Sequence, residues 1–454
     1  MLPMDDTAPA PAVDPPATPP SLWRSRTYRT WLVATTADRY GGAVQALGLT
    51  LLTYSLTGST TLAGTLGTIK MVIAYGFALF GGLITDRADR RTLMVLRAVL
   101  NGTVWAAFAV LVAIDRMTFP LLVVFTVVGT TLGALIGGAG EAALRSLVTV
   151  QQYPRASAVN QARDASADVL GGPLSGALFA AGHALPWVVG SFGYLVLGLA
   201  AWRLPPLKPA APPEDGVGAH GGSERPQVSG IRWRGLRVLP VLRDATEGFR
   251  WVLDRPRMTA LVVISLINNV GTFLVFTTFE LGLLAEGASS AQVGLLSTAE
   301  AIGILIGSPV AGRLTDRVAT GRLVVLSQAW IVASYSVALV NQSFAVVLAA
   351  CFLETLILPT NGAATSGFIF AMVPPDLQGR VDSAQVLLVG VPVAFTSVAA
   401  GALVAGPGIA VGIAVGVGLC ALSLAVALFS RTVRRIPVPA QWTSLVEDRV
   451  EHHE

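Results

Sequence analysis

Charged residues are scarce in this chain, since Asp, Glu, Lys and Arg together make up 13% of its 454 residues. Hydrophobic residues make up 53%. A soluble protein of this length needs a far more polar surface than this composition can supply. The shortage of charge therefore excludes a soluble globular protein and indicates a chain whose solvent is the lipid bilayer.

Cysteine and histidine are also rare, and those present do not form a ligand cluster. Cys351 and Cys420 lie in separate apolar segments, and the four histidines are spread over a loop, the middle of the chain and its end. This distribution excludes a disulfide framework and predicts no metal site. The glycine-rich segments lack the Gly-Lys-Ser/Thr ending of a phosphate loop, and we find no Ser-His or paired-Asp hydrolase signature. We therefore expect neither an enzyme nor a bound cofactor.

Twelve long apolar segments account for most of the chain. Each has about the 20 residues that a helix needs to cross a bilayer core. Six precede a stretch rich in Pro, Gly and Arg, and six follow it, which predicts an all-α polytopic membrane protein with two pseudo-symmetric six-helix bundles. The predicted parts are a disordered N-terminal tail (1–20), an N-terminal bundle (21–203), a cytoplasmic linker (204–256), a C-terminal bundle (257–431) and a cytoplasmic tail (432–454).

The distribution of Arg and Lys predicts the orientation of the chain. If both termini are cytoplasmic, nearly all basic loop residues lie inside, and Arg116 is the one that remains in an outer loop. The net charge of +4 is then a topology signal, so we expect no nucleic-acid partner. The prediction is a multi-pass protein of the cytoplasmic (inner) membrane, acting as a monomer within the lipid bilayer.

A charged motif after the second apolar segment recurs in part after the eighth. Each copy has a glycine, three residues and then Asp-Arg, and the copies are 230 positions apart. A carboxylate at a helix end can pair with arginines or with the positive N-terminus of a neighbouring helix, so the motif predicts a cytoplasmic gate. A loop that only fixes topology is the alternative. The members of this gate motif are Gly82, Asp86, Arg87, Arg90, Arg91, Gly312, Asp316 and Arg317.

The fifth apolar segment contains a proline between glycines, at Gly172, Pro173 and Gly176. Proline breaks a helical hydrogen bond, and glycines allow a close packing face. The segment therefore predicts a kink motif, either as part of the transport cycle or as an ordinary proline kink.

These two motifs resemble those of the major facilitator superfamily. The gate motif is similar to the Gly-x-x-x-Asp-Arg-x-Gly-Arg-Arg loop of that family, with Asp89 in place of a glycine, and the kink motif resembles the Gly-Pro-x-x-Gly element of its drug antiporters. Residues 22–430 look like the branch that contains the enterobactin exporter and the macrolide efflux pumps. The resemblance implies alternating access about a central site, and drug:proton antiport.

Ionisable residues inside the apolar segments predict the transport site, because a charge at the bilayer centre costs at least about 2.5–3.5 kcal/mol and tends to face a cavity or a partner. Counting about 1.5 Å per residue places five of them near the midplane. They are Asp38, Lys70, Asp168, Glu300 and Glu354. We expect one carboxylate to exchange a proton, with Asp168 first because it lies beside the kink. Fixed structural ion pairs are the alternative.

The sequence as a whole predicts proton-coupled efflux of a small amphiphilic organic molecule, such as a drug, an antibiotic or a siderophore-like compound. Apolar, glycine-rich segments with few polar residues suit such a substrate better than a sugar. An importer or facilitator of a small metabolite is the alternative within transport. A non-transporting membrane sensor or scaffold is the alternative outside it.

Overall fold

A computed structural model describes residues 21–149, 152–207, 238–374 and 377–442. The predicted tail at 1–20, most of the predicted linker and the last twelve residues therefore lie outside the described part. Within it the regular structure is helical, with short 3₁₀ turns at Leu22–Arg24 and Pro439–Gln441. The α-helices are α1 (Arg26–Thr57), α2 (Thr60–Arg87), α3 (Arg90–Ala113), α4 (Phe119–Ile136), α5 (Ala139–Leu147), α6 (Tyr153–Ala181), α7 (Leu185–Trp202), α8 (Val238–Leu253), α9 (Pro256–Ala285), α10 (Ser290–Arg317), α11 (Thr320–Val340), α12 (Phe344–Leu356), α13 (Leu358–Met372), α14 (Gln378–Ala394), α15 (Thr396–Ala405), α16 (Ile409–Phe429) and α17 (Arg431–Arg434).

Side-chain caps explain where several of these helices begin. The hydroxyl of Ser25 accepts from the backbone N–H of Tyr28, and Ser59 does the same at the start of α2. Ser289 and Gln292 form a reciprocal capping box at the start of α10. Each cap satisfies a backbone N–H that has no partner within its helix. The turns between the apolar segments are thus encoded locally.

Ten helical segments of the described residues are long and apolar enough to cross a membrane. In three of them a broken pair of helices forms one segment: α4–α5 and α12–α13, which occupy the fourth position of each half, and α14–α15. The long helices α1 and α6 fall outside this set, because their polar, small and charged residues lower the mean hydropathy. With α1 and α6 the described chain has twelve spans, six in each half, so the predicted fold class is confirmed.

The two halves repeat the same packing pattern. In the first half α1 packs against α7, α3 against α7, and α2 against α4; in the second, α9 packs against α16, α11 against α16, and α10 against α12. The halves join mainly through α2 with α15 and α6 with α10, and α2 also packs against α14 and α9. The duplicated charge pattern in the sequence therefore reflects a duplicated arrangement of helices.

Helix α8, in the predicted linker, packs against the second half. Glu247 accepts a hydrogen bond from Arg380 of α14 at 2.6 Å, and Trp251 and Val252 are buried in an apolar cluster with residues of α9, α13 and α14. The end of the described chain lies across the same helices, since Trp442 packs on Phe368 with ring centroids 5.5 Å apart. Helix α8 and the end of the described chain are thus both attached to the second half.

The hydrogen bonds and close backbone approaches described below between the halves cluster at the end that carries the α1–α2 and α9–α10 loops. Thr60 donates to the carbonyl of Gly401 at 3.0 Å, and Thr68 donates to that of Ala394 at 2.8 Å. A Cβ atom on Gly64 would overlap the backbone of Ser397. Across the other pair, a Cβ on Gly172 would lie 2.6 Å from the carbonyl oxygen of Gly294. Small residues therefore allow the halves to close tightly at this end.

We predict that Gly64→Ala opens this end of the molecule. The added methyl group has no space beside Ser397, and such overpacking costs about 1–3 kcal/mol. A buried Thr60→Cys reporter should then react about tenfold faster with a maleimide, since about 1.4 kcal/mol is a tenfold change in population. Cys351 and Cys420 are buried and contribute little background labelling.

The matched control is Gly76→Ala in the same helix, because a Cβ atom there would meet nothing within 4 Å. It should leave the labelling rate unchanged. Equal rates in the two variants would show that the close approach at Gly64 does not hold the halves together.

Candidate functional site

A carboxylate cluster lies within the second half, formed by Glu280 of α9, Glu300 of α10 and Glu354 of α12. Glu354 is 4% exposed, and Glu280 and Glu300 are partly exposed. Glu300 is close enough to both other carboxylates to interact with them electrostatically. Tyr335 of α11 lies beside Glu354 and can donate a hydrogen bond to it. Ionisable groups inside the spans of a membrane protein tend to face a cavity or a partner, which makes this cluster a candidate functional site.

Lys70 of α2 brings a positive charge from the first half to this cluster. It interacts electrostatically with Glu280, whose carboxylate also lies beside the hydroxyl of Thr50 in α1. Lys70 and Glu300 each stand ten residues after the first residue of their helix, Thr60 and Ser290. The duplication thus places a cation and an anion at equivalent positions in the two halves. Three of the five predicted site residues, Lys70, Glu300 and Glu354, come together here.

Asp168 lies in a different cluster, between α1 and α6 of the first half. Arg39 donates to Asp168 at 2.6 Å and is 3.4 Å from Asp164. Arg163 binds the same Asp164 at 2.8 Å and donates to the hydroxyl of Thr35 at 2.7 Å. The side chain of Asp168 is 57% exposed, in contrast to Glu354. We call these residues the α1–α6 network; the role of Asp168 in proton exchange stays a prediction.

Asp38 pairs with Arg97 of α3, which lies 3.1 Å away and also donates to the carbonyl of Gly133. Both side chains are about four-fifths buried, at 20% and 18% exposure. Arg97 lines an open cavity of ≈ 350 Å³ between α1, α2, α3, α4 and α7, and Lys70 lines it as well. The cavity of the first half and the carboxylate cluster of the second therefore share Lys70 as their neighbour.

The gate motif of the first half is tied to its own bundle. Asp89, which stands where the family has glycine, accepts from the backbone N–H groups of Arg91 and Leu207 at 2.9 and 3.1 Å. Arg91 donates to the last carbonyl of α7, and Arg90 to Ser146. The Asp86 side chain lies outside the described part, and Asp316 and Arg317 are exposed. The gating role of the motif therefore stays a prediction.

The motif glycines are not points of close approach in this conformation. A Cβ atom on Gly82 or on Gly312 would meet nothing within 4 Å. By contrast, Gly172 and Gly176 of the kink motif pack against α10, where a Cβ on Gly176 would overlap Ser290. Helix α6 continues through Pro173. The kink motif thus lies at the contact between the halves, close to the end at which they meet.

Two residues of this site were not singled out in the sequence. Glu280 lies five residues before the end of α9, and a count of helical depth therefore places it near the membrane surface rather than at the midplane. Arg97 lies in the first third of α3. The signal for both was the rarity of charge inside an apolar segment, which marks a functional or paired residue at any depth. In the described residues no group of three or more His, Cys, Asp or Glu is arranged to hold a metal ion.

The fold and the site together define a two-bundle membrane transporter with ionisable residues between its halves. The sequence family described as the Major Facilitator Superfamily matches residues 32–284 and 261–451. The chain belongs to that superfamily, a family of transporters, and is a multi-pass membrane protein. No curated protein sequence matches it.

Solved transporters share the fold. A bacterial homologue of the iron transporter ferroportin, in an inward-facing state, has a TM-score of 0.63 at 16% identity, covering 90% of this chain and 100% of that chain. An auto-inhibited POT family peptide transporter has a TM-score of 0.62 at 14% identity, covering 90% and 97%. A bacterial homologue of the human lysosomal transporter Spinster, inward-facing and unoccupied, has 0.56 at 16%, covering 94% and 98%. At these identities the likeness extends to the fold alone.

We predict that Arg97→Gln destabilises the protein through the charge left on Asp38. Removing one partner of a fully buried pair costs about 3–5 kcal/mol, and partial exposure should reduce this to about 2 kcal/mol. The double variant Asp38→Asn with Arg97→Gln removes both charges and should recover most of the loss. Thermal unfolding of the purified protein measures both effects.

The exposed pair of Glu247 and Arg380 provides the control, since its side chains are 52% and 37% exposed. Breaking it should cost at most about 1 kcal/mol. An Arg97→Gln variant as stable as wild type would mean that Asp38 is not held as an ion by Arg97.

Proposed function

We propose that this chain exports a small amphiphilic organic molecule in exchange for protons, by alternating access. The observation that carries the proposal is the carboxylate cluster of Glu280, Glu300 and Glu354, held in the second half and faced by Lys70 of the first. A group that exchanges protons in a transporter must lie where movement of the halves changes its surroundings. Lys70 and Glu280 belong to different halves, so rocking of the halves changes the distance between their charges.

The proton step follows from Coulomb interactions within the cluster. While Lys70 stays near Glu280, the carboxylate is stabilised as an ion. When the halves move apart, the same carboxylate loses its counter-charge in a medium of low dielectric constant and binds a proton. None of the three glutamates forms an ion pair within 4 Å among the described ion pairs, and Lys70 acts on Glu280 from a longer distance.

The conformation supports access from one side. The halves close at the end with the α1–α2 and α9–α10 loops, and the predicted orientation puts that end outside. This state is then inward-facing, as are two of the solved transporters of the same fold. In this state the gate motifs lie at the separated end. The expected latch of Asp86 would form when the inner end closes.

The composition of the site favours an amphiphile. The spans are rich in small and apolar residues, and the charged groups of the site already face one another. Strong binding of a sugar needs many paired donors and acceptors. The proposed direction of transport, which is efflux, rests on the resemblance of the sequence motifs. The proposed placement in the branch of the enterobactin exporter and the macrolide efflux pumps rests on the same resemblance. An importer or facilitator of a small metabolite remains the alternative.

We predict that Glu354→Gln abolishes uphill transport while downhill exchange continues. The test uses purified protein in liposomes, with the cytoplasmic side outward, an acidic lumen and a panel of cationic, neutral and anionic amphiphiles. Wild type should accumulate its substrate in the lumen, because protons leave as substrate enters. In Glu354→Gln the substrate should reach equal concentrations on both sides. Glu280→Gln and Glu300→Gln should behave in the same way.

The matched control is Glu286→Gln, an exposed carboxylate at the end of α9, which should accumulate substrate normally. Asp168→Asn separates the two carboxylate sites: its failure to accumulate substrate would assign coupling to the α1–α6 network instead. Loss of substrate from an acidic lumen would indicate an importer. Transport that ignores the pH gradient in wild type would leave a facilitator.

A further inference from the structure

A threonine hydroxyl crosses each of the two main contacts between the halves. Thr68 of α2 and Thr298 of α10 both stand eight residues after the first residue of their helix, so the duplication makes them equivalent positions. Each donates to a backbone carbonyl of the opposite half. Thr68 reaches Ala394 at 2.8 Å, and Thr298 reaches Val169 at 3.4 Å. We call Thr68 and Thr298 the interface threonines.

Thr68 lies in the break between α14 and α15. Its hydroxyl donates to the carbonyl of Ala394 and also accepts from the backbone N–H of Val398 at 3.1 Å. In an unbroken α-helix these two backbone groups, four residues apart, would bond each other. A hydroxyl of the first half is therefore inserted into the hydrogen-bond ladder of a span of the second half. Such an insertion is a known cause of a sharp helix bend, and Pro392 lies in the same turn.

Thr298 meets a carbonyl that a proline has left without its helical donor. Pro173 stands four residues after Val169 in α6 and has no backbone N–H to offer. The hydroxyl of Thr298 approaches that carbonyl from the other half. It lies equally far, at 3.4 Å, from the carbonyl of Gly294 in its own helix. This contact is longer than that of Thr68 and is shared, so we expect it to be the weaker of the two.

The groups that Thr68 binds are shielded within the contact. Ala394 is fully buried, and Thr68 is 8% exposed. In the closed state, loss of the hydroxyl would leave a buried carbonyl and an N–H group without the partner that they now share. When α2 withdraws, the N–H of Val398 and the carbonyl of Ala394 can bond each other as in a continuous helix. The hydroxyl therefore stabilises closure without leaving unpaired groups when the halves part.

We propose that the interface threonines set the balance between the closed and open states of the end that carries the α1–α2 and α9–α10 loops. Each stabilises the closed state by bonding backbone groups of a proline-containing helix in the opposite half. The proposal rests on the proposed function for alternating access alone, since neither the substrate nor the proton takes part in these contacts.

The rate at which the buried Thr60→Cys reporter reacts with a maleimide tests the proposal. This rate is proportional to the open population even when that population is small. The reporter is present in every variant compared, and the purified full-length protein is used without substrate or a pH gradient. Thr68→Val keeps the shape of the side chain but removes the hydroxyl, so labelling should be about tenfold faster.

Three further variants separate the hydroxyl from packing. Thr68→Ser keeps the hydroxyl and should label at close to the wild-type rate. Thr65→Val is the matched control, because the hydroxyl of Thr65 donates to the carbonyl of Thr61 in its own helix at 2.7 Å; its rate should be unchanged. Thr298→Val should speed labelling by about threefold, in keeping with its longer and shared hydrogen bond.

An unchanged labelling rate in Thr68→Val would overturn the proposal. Labelling of Thr68→Ser or Thr65→Val as fast as that of Thr68→Val would also overturn it, since lost packing or the loss of any hydroxyl would then explain the effect. Proton coupling is measured separately, by pH-driven transport in liposomes. Faster labelling of Thr68→Val combined with no pH-driven transport in wild type would support the interface threonines and reject the proposed function. The opposite pair of results would reject the interface threonines alone.

Discussion

The cost of placing a charge inside the bilayer governs this structure. Each ionisable residue described within the spans must find a counter-charge, a cavity or a proton, because water is not at hand to solvate it. The chain uses all three solutions. Asp38 pairs with Arg97, and Arg39 pairs with two aspartates of α6. The carboxylates of the second half outnumber the nearby cation Lys70, and in the proposed function a protonated carboxylate restores the balance. The proposed proton exchange thus follows from an uneven distribution of charge between two halves that otherwise repeat each other.

Close packing of small residues between the halves is the second constraint on this structure. At Gly64, Gly172 and Gly176 the backbones of α2 and α6 approach their partners so closely that a methyl group has no room. These contacts hold the halves together at one end with few hydrogen bonds. In the proposed transport cycle they break when the halves rock, and similar contacts form at the other end. Within each half, by contrast, ion pairs and the Asp89 cap hold neighbouring segments together. In the proposed transport cycle each half moves as a unit.

The sequence predicts the fold well because membrane helices are encoded locally. Apolar length, caps and the duplicated motif are enough for twelve spans in two halves, including α1 and α6, whose charge weakens their apolar signal. The site is harder to predict. Lys70, Glu300 and Glu354 are recognisable by depth, but depth along a helix says nothing about partners on other helices. The pairing of Asp38 with Arg97 and the approach of Glu280 to Lys70 depend on tertiary packing. The sequence alone therefore does not identify Arg97 and Glu280 as site residues. The cavity lined by Arg97 and Lys70 cannot be predicted for the same reason.

The most direct test of the account is to count protons when substrate binds. Purified protein in weakly buffered solution is mixed with a molecule that it transports, and the pH change is recorded. Antiport requires substrate and proton to compete, so binding should release protons from wild type and none from a variant with all three cluster glutamates changed to Gln. Substrate binding without proton release from wild type would contradict the account, since the carboxylate cluster would then have no part in coupling.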